Sequence, residues 1–184
     1  MKLHNAKTKF LELDLKGCVV LNHLLHSKGV AAFFKMISRL GNGIFWYVMI
    51  IAAWLLQGLI YSMQLLYLII GSTFGTVLYR ILKTKTSRPR PYQVHHQLIR
   101  LGEHPLDHYS FPSGHTLHAV MATTLLGYSV PLLLILMLPF TILVALSRMI
   151  LGLHYPSDVA IGAVIGATVA ISIISLAPVF NISL

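Results

Sequence analysis

The sequence concentrates side chains that could bind and transfer a phosphate group in three short blocks. Lys83 and Arg90 lie seven residues apart in the first block, and Arg148 follows Ser147 in the third. Few carboxylates balance these cations, since the whole chain has five Asp and Glu residues against fourteen Lys and Arg. Ammonium and guanidinium groups bind phosphate oxygens well. The three cations therefore predict an anion site.

The second block, Pro112-Ser113-Gly114-His115, is typical of the start of a helix. Proline suits the first turn, because its missing N–H would have no partner there. The backbone N–H groups of Ser113 and Gly114 would then face an anion at the helix N-terminus. Gly114 has no side chain to obstruct that approach.

Two histidines supply the groups that phosphoryl transfer through a covalent intermediate requires, a nucleophile and a proton donor. Asp158 lies four residues after His154, close enough to hold one nitrogen of its ring and to fix the tautomer. We therefore predict that His154 is the nucleophile and His115 the acid.

Together the blocks resemble the signature of the type 2 phosphatidic acid phosphatase superfamily, which also includes vanadium haloperoxidases. The family pattern is Lys-x6-Arg-Pro, then Pro-Ser-Gly-His, then Ser-Arg-x5-His-x3-Asp, and all three parts occur in this order over 83–158. Arg88-Pro89 is a second Arg-Pro, but Ile81 stands seven residues before Arg88, so Arg90 matches the family's arginine.

The resemblance implies a role for each matching residue. His154 would form a phosphohistidine, His115 would protonate the leaving oxygen and then activate water, and Asp158 would orient His154. Neither a metal nor a cofactor is implied, because cations stabilise the transferred charge. The residues implied to bind the phosphate are Lys83, Arg90, Ser113, Gly114 and Arg148.

Composition predicts that the elements positioning these residues cross a bilayer. The chain is 56% apolar and 10% charged, whereas a soluble domain carries about a quarter charged residues. A helix needs about 20 residues to cross the hydrocarbon core. We predict an all-α, integral membrane helical bundle with five spans, at about 44–60, 63–82, 113–129, 132–152 and 158–178.

The segment before these spans has a different pattern. Apolar residues recur at helical spacing over 29–40, with basic residues on other faces, which predicts an amphipathic helix at the membrane interface. A sixth, weakly apolar span over 17–37 is the alternative. We divide the chain into an N-terminal segment, 1–43, and a membrane phosphatase domain, 44–184.

Two Gly-xxx-Gly pairs, Gly71/Gly75 and Gly162/Gly166, indicate close helix packing. We favour packing within one chain over a dimer interface, and the sequence leaves monomer and homodimer open.

Alternation of five spans places every predicted site residue on one side of the membrane. The positive-inside rule favours the cytoplasm for that side. The resemblance to short bacterial members favours the periplasmic face of a bacterial inner membrane, and we adopt this orientation, since several of the cations serve phosphate binding.

The same resemblance suggests lipid phosphates as substrates, with undecaprenyl pyrophosphate first and phosphatidylglycerophosphate, phosphatidic acid or lipid A phosphates as alternatives. A haloperoxidase is disfavoured by the five spans, and a non-catalytic lipid-binding protein by the intact histidines. Nucleic acid is not an expected partner despite the net charge of +9, because the basic residues border apolar stretches.

Several polar residues near the motifs receive plainer interpretations. Lys85 and Arg88 are interpreted as solvated loop charges. The loop histidines follow no regular ligand spacing, so we expect them to line the substrate entrance rather than a metal site; they are His95, His96, His104 and His108.

Overall fold

The computed structural model describes residues 2–184, with side chains from Thr8 onward. This part of the chain is helical and contains no strand, which confirms the predicted all-α class. The α-helices are α1 (Lys2–Asn22), α2 (Lys28–Leu40), α3 (Ile44–Gln57), α4 (Ser62–Thr86), α5 (Pro91–Val94), α6 (Gly114–Ser129), α7 (Leu134–Ile150) and α8 (Pro156–Leu176).

Five of these helices lie where the five spans were predicted, namely α3, α4, α6, α7 and α8. Among the described residues, three helical stretches are long and apolar enough to cross a membrane: Leu59–Val94, Pro131–Ile150 and Pro156–Phe180. A fourth candidate exists if α2 and α3, which meet at a bend of 53°, form one broken span. The chain is thus an integral membrane helical bundle, but the count of five spans is not confirmed.

Helix length explains the difference in span number. With a rise of 1.5 Å per residue, the 14 residues of α3 reach about 21 Å and the 16 residues of α6 about 24 Å. Both lengths are below the roughly 30 Å of a hydrocarbon core. A pattern of apolar residues locates such helices but does not show where each one ends.

The two predicted glycine pairs pack within the chain. A Cβ atom at Gly162 would lie 2.6 Å from the Ser113 carbonyl oxygen, and one at Gly166 would lie 2.4 Å from that of Leu117. These contacts bring α8 directly against the start of α6. Gly71 and Gly75 likewise bring α4 against side chains of α8 and α6.

The N-terminal helices pack beside this bundle. The 17–37 alternative does not form, because α1 ends at Asn22 and a 3-10 turn over His23–His26 precedes α2. Helix α2 confirms the helix predicted over 29–40. Helix α1 covers the first fifteen residues from Lys2 onward, for which no element was predicted. Buried Asn22 connects α1 to the rest of the chain by donating to the carbonyl oxygens of Ile150 and Arg100, each at 2.9 Å.

Candidate active site

The bundle gathers the three motif blocks at one end. Lys83 lies in the last turn of α4, Gly114 begins α6, Arg148 lies in the last turn of α7, and Asp158 lies in the first turn of α8. Arg90 occupies the N-cap of α5. Residues far apart in sequence therefore share one small polar region, as the alternation of spans predicted.

His154 is the centre of this region and is only 1% exposed. Its Nδ1 atom lies 2.6 Å from the Ser110 carbonyl oxygen, and its Nε2 atom lies 3.2 Å from Arg90 Nη1. A carbonyl only accepts and a guanidinium only donates. Nδ1 therefore carries the proton, and the Nε2 lone pair faces the Arg90 guanidinium.

The charge of His154 follows from its surroundings. Burial, together with the positive charges of Arg148, Arg90 and Lys83, holds the pKa of His154 well below its ordinary value. The ring therefore stays neutral near pH 7, which is the state that can act as a nucleophile.

Asp158 does not make the hydrogen bond predicted for it. Its Oδ2 atom lies 3.8 Å from His154 Nδ1, beyond hydrogen-bond length, and accepts instead from the backbone N–H of Tyr155 at 2.8 Å. The Ser110 carbonyl takes the predicted role of fixing the tautomer. A backbone acceptor carries no residue-type signal, so the sequence could not have identified it.

Of the three predicted cations, Arg90 contacts Nε2 of the ring, while Arg148 and Lys83 are near enough for their charges to act on it. Arg90 is 1% exposed and also donates to the Leu153 carbonyl oxygen at 2.8 Å. Arg148 donates from Nη1 to Ser38 of α2 at 2.6 Å, and its buried Nε atom has no hydrogen-bond partner among the described residues. Buried donors are nearly always paired. An anion bound beside Arg148 would supply the partner that Nε lacks.

A carboxylate of the chain itself, Asp107, contacts two of the three cations. Asp107 accepts from Lys83 Nζ at 2.7 Å and from Arg90 Nη2 at 2.6 Å. Burial by itself would raise the pKa of Asp107, but its hydrogen bonds and charge interactions with Lys83 and Arg90 hold it below its ordinary value. Asp107 therefore stays ionised and holds the donors that a phosphate would use. Asp107 was not among the predicted site residues, although carboxylates are so few in this chain that one in this loop was a usable signal.

The second block lies at the start of α6 as predicted, but Pro112 precedes the N-cap rather than lying in the first turn, and the Ser113 N–H donates to the Asp158 carbonyl oxygen at 3.0 Å instead of facing an anion. Ser113 is the N-cap of α6, and its hydroxyl lies 2.9 Å from that of Thr116 rather than facing open space. A side chain at Gly114 would clash with Tyr79, whose hydroxyl would lie 2.4 Å from the added Cβ. The ring of His115 hydrogen-bonds through Nε2 to Asn42, in the turn between α2 and α3. Asn42 was not among the predicted site residues.

Arg88 is not the solvated loop charge that was predicted. It forms ion pairs with Asp14 of α1 and with Asp158, and its guanidinium lies 4.0 Å from the centre of the Tyr155 ring. The interpretation failed because nothing in the loop sequence shows that α1 packs over it. Among the residues whose side chains are described, no group of three or more His, Cys, Asp or Glu is placed to share a metal ion.

A largely apolar cavity of about 1000 Å³ leads away from the polar region between α3, α4 and α6. Lys83, Asp107 and His115 line its polar end, while Leu65 and Leu126 are among the residues lining its apolar part. Of the four loop histidines expected at the substrate entrance, His108 lines the cavity, whereas His95, His96 and His104 are not among its lining residues; His118 of α6 lines it as well. The cavity is suited to a molecule with an anionic head and an apolar body.

The family follows from comparison with known proteins. The family model described as the PAP2 superfamily matches residues 61–181, and this range contains all eight predicted site residues. The chain belongs to the PAP2 superfamily, and the predicted resemblance is confirmed.

Individual relatives agree with this assignment. The chain is 40% identical over 91 residues to decaprenylphosphoryl-5-phosphoribose phosphatase of Mycobacterium tuberculosis, which covers 48% of each protein. It is 34% identical over 104 residues to undecaprenyl-diphosphatase of Sulfolobus acidocaldarius, covering 56% of this chain and 50% of that one. The chain spans about half the length of these curated relatives.

One solved structure is similar along most of the chain. LpxE of Aquifex aeolicus is 28% identical with a TM-score of 0.74, and the match covers 89% of this chain and 95% of that one. The similarity therefore extends beyond the three motif blocks to the arrangement of the helices.

Proposed function

We propose that this protein is a membrane phosphatase that hydrolyses a phosphomonoester or pyrophosphate on a lipid through a phosphohistidine, without a metal. The observation that carries the proposal is the neutral His154 ring, whose Nε2 lone pair faces Arg90 and which the charges of Arg148 and Lys83 also reach. The PAP2 family match and the phosphatases among its relatives support the same reaction.

The proposed reaction has two displacements at phosphorus. Nε2 of His154 donates its lone pair to phosphorus while the bond from phosphorus to the leaving oxygen breaks, and the leaving oxygen takes a proton from His115. Water then gives a proton to His115 and attacks the phosphohistidine, which releases inorganic phosphate and restores His154. The proton stays on Nδ1 and is donated to the Ser110 carbonyl oxygen throughout, so the ring keeps one orientation.

The cations stabilise the charge on the transferred group. Lys83, Arg90 and Arg148 would bind its oxygens, with the Ser113 hydroxyl and the Gly114 N–H as further donors at the start of α6. Before substrate binds, Asp107 occupies Lys83 and Arg90 and the Ser113 hydroxyl bonds to Thr116, so a phosphate would have to replace these internal partners.

A lipid substrate is supported by the cavity, because its apolar part begins next to the proposed phosphate site. We place undecaprenyl pyrophosphate first among substrates, with phosphatidylglycerophosphate, phosphatidic acid and lipid A phosphates as alternatives. The proposed location is a bacterial inner membrane with the site facing the periplasm, and the protein acts as a monomer or homodimer.

Purified protein in detergent should release phosphate from lipid phosphates faster than from a soluble ester such as para-nitrophenyl phosphate. The reason is that an apolar tail can occupy the cavity and hold the phosphate near His154. Phosphate release is measured for undecaprenyl pyrophosphate, phosphatidylglycerophosphate and phosphatidic acid at equal mole fraction. Equal kcat/KM for the soluble and lipid esters would contradict the lipid assignment, and a different ranking would replace the first substrate.

Asp107→Asn should make inorganic phosphate a stronger inhibitor by about fivefold. Phosphate must displace this carboxylate from Lys83 and Arg90. An ion pair with one partly exposed partner contributes at most about 1 kcal/mol, and about 1.4 kcal/mol corresponds to a tenfold change in a binding constant. The inhibition constant of phosphate for Asp107→Asn is compared with the constant for Glu103→Gln. The second variant removes a carboxylate of the same loop, which pairs with Arg39 of α2. Weaker inhibition in Asp107→Asn would mean that Asp107 helps to bind phosphate.

A further inference from the structure

Two charged residues outside the motif positions, Asp14 and Arg88, form a buried ion cluster with Asp158. Arg88 donates from Nη2 to Asp14 at 2.7 Å and from Nη1 to Asp158 at 2.6 Å. The side chains of Asp14 and Asp158 are 3% and 0% exposed. Asp14 belongs to α1, which lies outside the range matched by the family.

The backbone at the start of α8 holds this cluster in place. Ser157 donates its N–H to Asp14 at 2.8 Å, and its hydroxyl bonds to the same carboxylate. The Arg88 guanidinium donates to that hydroxyl at 2.8 Å. The cluster therefore connects α1, the loop after α4 and the turn that carries His154.

The net charge of the cluster is −1, since two carboxylates share one guanidinium. Neighbouring titratable groups add no charge near neutral pH. Burial raises the pKa of the Cys18 thiol to about 12 and that of the Tyr155 phenol to about 12, so both stay protonated.

This negative charge lies on the side of His154 away from the phosphate site. Asp158 Oδ2 is 3.8 Å from Nδ1, whereas the attacking Nε2 faces Arg90. When Nε2 forms its bond to phosphorus, the ring gains positive charge. A carboxylate near Nδ1 in a buried site stabilises that charge more strongly than one in water.

We propose that Asp14 and Arg88 are positioning residues for phosphoryl transfer, which act through Asp158 by holding its carboxylate ionised and fixed behind the His154 ring. The inference rests on the proposed phosphatase function. Arg88 is needed because a buried Asp158 carboxylate without a counter-charge would be driven towards its protonated form. Asp14 is needed because it holds Arg88 and gives the cluster its net negative charge.

The first test is Asp14→Asn in the purified full chain. We expect kcat for lipid phosphate hydrolysis to fall by about tenfold to a hundredfold, as for other groups that orient a catalytic residue, with KM changed by less than twofold. Glu12→Gln is the matched control, since it removes the same charge from an exposed position of the same helix and should leave kcat unchanged. An unchanged kcat in Asp14→Asn overturns the proposal.

The second test uses pH, which a purely structural contact would not affect in the same way. In Arg88→Met, the buried Asp158 carboxylate loses its counter-charge and its protonated form is favoured, so activity should be low at pH 6.5 and recover towards pH 9 as this carboxyl ionises. Arg88→Lys restores the positive charge and should remove this recovery. The groups facing the two carboxylates are Arg88, Cys18, His154, Tyr155, Ser110 and Ser157.

Wild-type and Arg88→Met profiles of the same shape would overturn the proposal. Folding is checked by elution as a single species and by thermal melting. If neither Asp14→Asn nor Arg88→Met folds, the kinetics of Arg88→Lys test the proposal. A single ammonium cannot reproduce the bidentate contacts of the guanidinium, so this variant should have a lower kcat and an unchanged KM. Failure of the proposed function is distinct, since the wild-type protein would then release no phosphate.

Discussion

Replacing His154 with alanine should reduce phosphate release from lipid substrates by at least about 10⁴-fold, to the background of the assay. Removal of the nucleophile leaves no atom to form the covalent intermediate, and the losses known for catalytic nucleophiles are of this size or larger. The measurement is phosphate release from undecaprenyl pyrophosphate and phosphatidic acid by the purified variant.

The control for this variant is His96→Ala, which removes an exposed histidine from the loop after α5 and should keep wild-type activity. The His154→Ala protein should still bind inorganic phosphate, since Lys83, Arg90 and Arg148 remain. Substantial turnover by His154→Ala would contradict a phosphohistidine at this position, whereas lost phosphate binding would indicate a misfolded site.

Arg90→Lys should lower kcat/KM by about 10²- to 10³-fold, the size expected when one preorganised donor to a developing anion is removed. The guanidinium contacts Asp107, Leu153 and His154 at once, and a lysine ammonium cannot reproduce that planar geometry. Steady-state kinetics on one lipid phosphate give the ratio.

Arg100→Lys is the matched control, because Arg100 is exposed and contacts Asn22 through its backbone. We expect that substitution to leave kcat/KM within twofold of wild type. If Arg90→Lys behaved like Arg100→Lys, Arg90 would be an internal partner of Asp107 and not a phosphate ligand.

Local sequence was sufficient to predict the family and the charged residues that meet at one end of the bundle. Charges are costly within a bilayer, so uncharged stretches revealed the helices, and the fixed spacing of the three blocks gave the family. Arg148 and Asp158 at the ends of such stretches already indicated a polar site at one end of the bundle. These inferences needed only residue types and their order.

The hydrogen bonds within the site depended on the tertiary structure. The acceptor for His154 Nδ1 is a backbone carbonyl of Ser110, the partner of His115 is Asn42, and Arg148 contacts Ser38 of α2. None of these contacts follows from spacing, because each joins segments whose relative position is set by helix packing.

The sequence alone determined the helical membrane class, the three cations and the two imidazoles, since periodicity and motif spacing are properties of the chain itself. The packing of α1 against α7 and α8 brings Asp14 to Arg88, and Arg88 forms an ion pair with Asp158 instead of pointing into solvent. The physical reason is that burying a charge requires a counter-charge, and folding alone determines which charges become neighbours.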